Sequence, residues 1–452
     1  MGARQRPNIL LITCHDLGRF LGCYGVPTVR TPHLDRLAAE GVRLTRAFCT
    51  APQCSPSRAS LYTGRYPHSN GVMGLTHGDF AWDLHPDERH LAQYLGSIGY
   101  DTRLIGIIHE ARSAERCGFD EVIPPQHGEP ISDQTLAILR RCADQPQPFY
   151  LQLGYHEPHR VACPGEERPD FMGFTGDYIA ADDSLGLTIP PYLADTPQTR
   201  AEIAELQGAV AYMDAALGRV LEGLRSLGLD EQTLVIFTTD HGLALPRAKC
   251  TLYDPGLETA LLMRLPGRGW SGGTSYPQLV SNVDITPTLL DLVGLPVDAA
   301  LQGRSLLPLL DGGAYQPRPC MFAEMTYHDY YDPQRCIRTE THKLIVNFSA
   351  APAFMNPSQS WQPRSRPVTP PDPPVAYHPL VELYDLERDP FEQQNLAEDR
   401  AQQALRADLL ARLYEWMRTT DDPLLHGAVT SPTHLRAIAA LQHPDDRPGD
   451  AR

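Results

Sequence analysis

Apolar and polar positions fall into alternating blocks along the first half of the chain. Asn8 to Thr13 is a short continuous apolar run, the pattern of a strand buried on both faces. Thr31-Pro32 predicts a helix start with proline at its first position. Leu34, Leu37 and Ala38 keep helical spacing and Gly41 ends it. Asp101 to Ile108 and Pro148 to Tyr155 read as further strands. Ala201 to Leu227 has the period of a long amphipathic helix, leading through Gly228 into another buried strand, Thr233 to Thr239. This alternation predicts an α/β fold, a mostly parallel sheet with helices on both faces.

Near residue 312 the pattern changes. Cys320 to Tyr327 and Cys336 to Phe348 look like antiparallel strands of a smaller unit. Pro352 to Pro379 is dense in proline and predicts an extended, irregular loop, and Ala401 to Arg418 predicts a terminal helix. The expected organisation is a large domain over 5–312 and a C-terminal subdomain over 313–430 that includes the loop 352–379. A frayed tail over 431–452 completes it.

Composition then removes several classes. The 452 residues are 42% hydrophobic and 21% charged, a globular balance in a chain longer than one ordinary domain. With 39 basic and 55 acidic residues the net charge is −16, which argues against nucleic acid or an anionic membrane as partner. A small anion in a locally positive pocket stays open. No apolar stretch approaches the ~18–20 residues that span a bilayer. The run Ile9 to Ile12 after the basic start is too short for a secretory signal. The expectation is a soluble, cytoplasmic protein. Its ten cysteines form no Cys-x-x-Cys pair and read mostly as reduced core residues.

Ligands of open α/β sheets bind beyond the carboxyl ends of the strands. Two predicted strands end there in His15-Asp16 and Asp240-His241. Either pair alone fits a cap or turn equally well. Together, two carboxylates and two imidazoles suit a divalent cation. The segment Cys54-Ser55-Pro56-Ser57-Arg58-Ala59-Ser60-Leu61-Tyr62-Thr63-Gly64-Arg65 carries more. Pro56 fits a first helical turn, which places Cys54 at the positive end, where a thiol's pKa falls and an anion is stabilised. Arg58 adds a planar cation one turn along.

Cys54-x-Pro56-Ser57-Arg58 followed by Leu61-x-Thr63-Gly64-Arg65 resembles the signature of type I sulfatases, in the alkaline-phosphatase-like superfamily. Pro7-Asn8-Ile9 with Asp16-Leu17-Gly18, Leu104-Ile105-Gly106 with His109, and Thr239-Asp240-His241-Gly242 with Lys249 are similar to further landmarks in the same order. His156-Glu157-Pro158-His159 resembles a stretch of the heparan N-sulfatase-like bacterial members. Val283 to Leu290, Leu383-Tyr384-Asp385-Leu386, Asp389-Pro390 and Asn395-Leu396 extend the likeness across nearly the whole chain.

The resemblance implies an α/β/α sandwich with a smaller C-terminal subdomain built on an antiparallel sheet. It implies a sulfuric ester hydrolase whose Cys54 is oxidised to formylglycine by a formylglycine-generating enzyme. One hydroxyl of the hydrated aldehyde attacks sulfur, and the other then loses its proton as sulfate leaves. One divalent metal is implied at Asp16, His15, Cys54, Asp240 and His241. Calcium is the family expectation, with manganese or zinc as alternatives because imidazole suits them better. Arg58 and Lys249 would grip sulfate oxygens, His159 or His156 would protonate the leaving group, and His109 would contact the nucleophile. The substrate would be a sulfate ester or sulfamate of a small molecule or saccharide. Arg335 or Arg338 and the tyrosines at 327, 330 and 331 are candidates to read it, unless the tyrosines pack the small sheet and the arginines form a solvated face. Two positions depart from the family: His15 stands where paired aspartates are usual, and Ile107 where lysine is usual. The same residues leave two other readings, a phosphoesterase on this scaffold and an inactive anion-binding homologue in which Cys54 is never converted.

Overall fold

The computed structural model describes residues 6–124, 127–162, 172–352, 364–368 and 377–442. The predicted loop 352–379 lies for most of its length outside these residues. Asn8–Cys14 forms β1, whose residues Ile9 to Ile12 have no exposed surface. Along the chain follow β2 (Val42–Phe48), β3 (Asp101–Gly106), β4 (Glu121–Ile123) and β5 (Phe149–Gly154). A small ribbon pairs β6 (Val161–Ala162) with β7 (Met172–Gly173). Then come β8 (Thr233–Thr239), β9 (Glu258–Thr259), β10 (Leu261–Arg264) and β11 (Thr274–Ser281). The main sheet has the order β11-β2-β10-β8-β1-β5-β3-β4, with β9 beside β2. Within that order, β10 alone runs against its neighbours.

β1 shows why the sheet is a central layer. Leu10 and Ile12 point into one core, with Leu34 and Leu37 of the helix Pro32–Glu40 and Leu206, Met213 and Leu217 of the helix Pro197–Ser226. Ile9 and Leu11 point into the other, with Leu61 of the helix Cys54–Thr63 and Leu289 and Leu290 of the helix Ile285–Leu292. Each such side chain contributes about 1.5–3 kcal/mol by leaving water, so a polar residue on either face would be costly.

A second, antiparallel sheet has the order β12-β13-β14-β15, with β12 at Met321–Tyr327, β13 at Tyr331–Arg338, β14 at His342–Asn347 and β15 at Val381–Asp385. Met325, Cys336 and Ile345 pack on Phe48, Leu252 and Leu279 of the main body. Ile337, Leu344 and Leu383 pack on Leu409, Leu413 and Trp416 of the helix Gln403–Thr419. The small sheet is thus held between the main body and the terminal helix, and its rim reaches the site.

Four expectations need correction. The run Cys336 to Phe348 contains a turn, because β13 begins at Tyr331 and β14 only at His342. Part of the expected tail is ordered: Pro432–Gln442 is a helix, tied through Thr433 and Arg436 to the Asp79 carbonyl. The long helix begins at Pro197, with Thr196 accepting from the Thr199 amide as its cap. Thr31 precedes its helix without capping it, since its hydroxyl accepts from the Gly22 amide. The cap comes instead from Asp214, which accepts from the His33 and Leu34 amides at 3.1 and 2.9 Å. No helix among the described residues is long and apolar enough to cross a membrane.

Candidate active site

β1 and β8 are adjacent, parallel and in register, with Cys14 opposite Thr239. The residues that follow each strand therefore leave the sheet at one edge: His15 and Asp16 from β1, Asp240 and His241 from β8. β5 and β3 end at the same level, with Gly154 opposite Gly106. Gly106 turns the chain at φ 98°, where a side chain would collide with the Gly154 carbonyl, and the loop beyond it carries His109. The loop after β5 carries His156 and His159. Cys54 is the first residue of its helix, so the unpaired amides of that first turn face the same edge.

These side chains converge. Cys54 Sγ lies 3.3 Å from His241 Nε2 and 3.9 Å from Asp16 Oδ1. His241 Nε2 is 3.2 Å from Asp16 Oδ1, and its Nδ1 is bonded to the Gly242 carbonyl at 2.9 Å. Lys249 Nζ donates to both oxygens of Asp16, at 2.8 and 3.0 Å. His159 Nδ1 is held by the Arg160 carbonyl at 2.7 Å, and its Nε2 lies 3.8 Å from Asp16 Oδ2. The His156 ring sits 4.9 Å from His159, and the His15 ring 5.0 Å from His159 and 5.4 Å from His109. The loop bearing Lys249 is pinned at both sides: the Cys250 amide donates to the Pro52 carbonyl, and Arg247 donates to the Glu392 carbonyl.

The charges decide protonation. Burial alone would raise the Cys54 thiol. Lys249, then His241 and His15, outweigh it and hold the thiol well below its ordinary range. Burial is likewise outweighed at Asp16 by Lys249 and His159, so its carboxyl titrates well below the usual range. Asp240 is lowered against burial by His241, His15 and Arg58. Burial pushes His109 down to about 4 and, with His159 and His15 adding to it, His156 down to about 2. Both are neutral imidazoles at neutral pH.

Three arginines expected to contact the substrate pair with carboxylates of the chain itself. Arg58 is buried beneath the cluster, where Nε donates to Asp240 Oδ2 at 3.2 Å, Nη1 to Thr13 Oγ1 and Nη2 to the Cys14 carbonyl. In this structure it braces the Asp240 carboxylate. Arg335 is buried as well, its Nε 2.5 Å and its Nη2 3.1 Å from the two Asp422 oxygens. Arg338 is committed to Asp254. Tyr327 and Tyr331 bond the Val429 backbone and contact each other, the packing role of the two that had been considered.

Further residues of the site surround His109. Ser55 Oγ lies 3.3 Å from His109 Nδ1, and Thr76 Oγ1 donates to the His109 carbonyl at 3.1 Å. Glu110 accepts from the His109 amide and from Gln152 Nε2, at 2.9 and 2.7 Å. His77, exposed at the rim, stacks on His109 at 5.1 Å. A carboxylate next to a candidate histidine was a readable signal for Glu110. The others depend on long-range folding.

The family described as Sulfatase matches residues 7–295, and that described as N-sulphoglucosamine sulphohydrolase, C-terminal, matches residues 243–356. The chain is 32% identical over 466 residues to N-sulphoglucosamine sulphohydrolase of Homo sapiens, covering 93% of this chain and 92% of the relative. The solved structure of the yidJ protein of Bacteroides fragilis superposes with a TM-score of 0.73 at 22% identity, covering 95% of this chain and 99% of its own. A protein solved with its substrate D-glucosamine-2-N,6-O-disulfate superposes with a TM-score of 0.70 at 20% identity, covering 92% and 98%. These structural likenesses carry the fold, and the family match carries the chemistry. The chain belongs to the sulfatase family and is a sulfuric ester hydrolase on an alkaline-phosphatase-like scaffold.

Proposed function

We propose that this sulfatase removes sulfate from a sulfated glucosamine or a close saccharide relative, with Cys54, as formylglycine, supplying the nucleophile and one divalent cation beside it. The observation that carries the reading is the position of Cys54. It heads a buried helix 3.3 Å from His241 and 3.9 Å from Asp16, at the edge where β1 and β8 end. The ligand atoms of Asp16, Cys54, Asp240 and His241 lie within 4.8 Å of one another, and His241 Nδ1 is already held by a carbonyl, leaving Nε2 to face the group. This donor set fits a cation.

A cation there would polarise a sulfate oxygen and offset its charge. Formylglycine, once hydrated, supplies two hydroxyls on one carbon, one to attack sulfur and one to lose its proton as sulfate is expelled. The chain's own residues orient and move protons. Lys249, fixed by Asp16, presents a positive charge to the anion. His159, oriented by the Arg160 carbonyl, delivers a proton to the departing amine or alcohol from Nε2, with His156 beside it as the second candidate. His109 is neutral, with Nδ1 at Ser55, and accepts a proton from the nucleophilic group. The cysteines of the described residues are all free thiols, which supports a reducing, cytoplasmic setting.

Peptide mass spectrometry across Cys54 tests the reading. The chain is produced with and without a formylglycine-generating enzyme, then offered glucosamine N-sulfate, glucosamine 6-sulfate, an aryl sulfate and an aryl phosphate. Conversion to the aldehyde with release of sulfate from the sugars is expected. An intact cysteine with no sulfate released would overturn the proposal, and faster release of phosphate would favour a phosphoesterase.

A further inference from the structure

We infer that the cation position of this chain is built for a nitrogen-preferring transition ion of the zinc and cobalt class, and not for calcium. The inference rests on the cation site proposed above and concerns its selectivity. Calcium collects six to eight oxygen ligands, whereas zinc and cobalt accept few ligands and favour imidazole. The carboxylates at this edge are two, Asp16 and Asp240, and both are already engaged. Asp240 Oδ1 accepts from the Asp16 and His241 amides at 3.0 and 2.9 Å, and its Oδ2 from Arg58 at 3.2 Å. Both oxygens of Asp16 accept from Lys249.

Nitrogen is plentiful by contrast. Three imidazoles, His15, His159 and His241, have ring nitrogens within 4.8 Å of donor atoms of Asp16 and Cys54, in two overlapping groups. His241 has Nδ1 fixed by the Gly242 carbonyl, the arrangement that leaves Nε2 as a ligand. His15 supplies the independent observation. It is 2% exposed, and its Nδ1 lies 3.1 Å from Asp240 Oδ2 without forming a hydrogen bond. A buried ring nitrogen this close to a carboxylate oxygen without forming a hydrogen bond is poorly satisfied by that contact alone. It becomes a favourable one when both are ligands of the same cation. Each of the two groups carries imidazole nitrogen and neither offers more than two carboxylates, a balance that suits zinc or cobalt better than calcium.

The test uses the full chain as Cys54→Ser, which removes the thiol's own affinity for soft metals. Metal-free protein is equilibrated with cobalt chloride and a roughly hundredfold excess of calcium chloride, and bound metals are counted by elemental analysis. The visible spectrum of cobalt is read in parallel. We expect about one cobalt per chain, with absorption bands of imidazole ligation, and a cobalt-to-calcium ratio lowered about tenfold or more by His15→Asp. Stoichiometric calcium without cobalt would overturn the inference while leaving the cation site standing. So would a ratio unchanged in His15→Asp. Neither metal bound would overturn the inference and the cation site together. Should His15→Asp fail to fold, His15→Asn removes the same nitrogen without adding charge and is expected to lower the ratio too.

Discussion

Arg58 Nε donates to Asp240 Oδ2 across 3.2 Å, with both side chains closed off from water. Because Arg58 sits one turn beyond Cys54, this contact ties the helix headed by Cys54 to the carboxylate at the end of β8. The two halves of the site are therefore built as one rigid piece. Removing the guanidinium takes away one of the buried charges that offset the Asp240 carboxylate. Arg58→Ala is expected to lose about 3–5 kcal/mol of stability, read as a lower denaturant midpoint. Arg58→Lys keeps the charge and loses the fork to Thr13 and Cys14, so it should fall between the two with its Michaelis constant close to wild type.

Lys249 is the cation that Asp16 holds in this structure, and it competes with any metal for both oxygens. Lys249→Met should therefore act in opposite directions on two measurements. Metal affinity, read by competition with a chelating dye, should rise. Turnover should fall by about 10²–10³-fold, the scale of losing one preorganised charge at a developing anion.

Arg335 and Asp422 form a buried pair. Arg335→Ala is expected to cost about 3–5 kcal/mol, while variants that fold should show an unchanged Michaelis constant. Replacing both residues, Arg335→Met with Asp422→Leu, should recover part of the loss. Urea denaturation beside substrate kinetics reads both effects.

Asp214 gives a pH signature to the fold. Burial lifts its carboxyl from the ordinary 3.8 to about 6, against the two amides it caps. A folded state that holds the proton more tightly than the unfolded chain is favoured at low pH. The contribution of Asp214 is therefore fully present below pH 3.8 and lost as the pH rises through about 6. In Asp214→Asn this loss, of order 1–3 kcal/mol, should disappear from a plot of stability against pH.

His15 and Ile107 test compensation within the site, since one replaces a usual aspartate and the other a usual lysine. His15→Asp alone should lower kcat/KM, and His15→Asp with Ile107→Lys should regain part of it. Strictly additive losses in that cycle would show that the two positions are independent.

Much of this architecture was readable along the chain. β8 runs over the residues predicted for it, and β1 extends one residue further, because a strand buried on both faces is an uninterrupted apolar run. The helix that starts at Cys54 was legible from Pro56 and the N-terminal logic of a thiol in the first turn. The convergence of Asp16, Asp240 and His241 followed from strand ends alone. The direction in which Arg58 and Arg335 point was not legible. A long cation pairs with whichever carboxylate the tertiary fold supplies, and Asp240 and Asp422 are 182 and 87 residues away. Asp214 was missed for the same reason, since it caps a helix some 180 residues distant in sequence. The helix Pro432–Gln442 was hidden by surrounding turn-forming residues.

Every residue of the helix Cys54–Thr63 is buried, and Cys54 itself is 2% exposed, beneath loops from four strands and a lysine pinned at both ends. A second protein could not close its own active site around that thiol without dismantling the sheet edge first. On the proposal that Cys54 is converted to formylglycine, the converting enzyme must therefore meet it while the nascent chain is still open. Maturation then becomes a race between two clocks, one for oxidation and one for collapse of the core. A host that synthesises the chain faster than it converts it would accumulate well-folded molecules that are permanently silent.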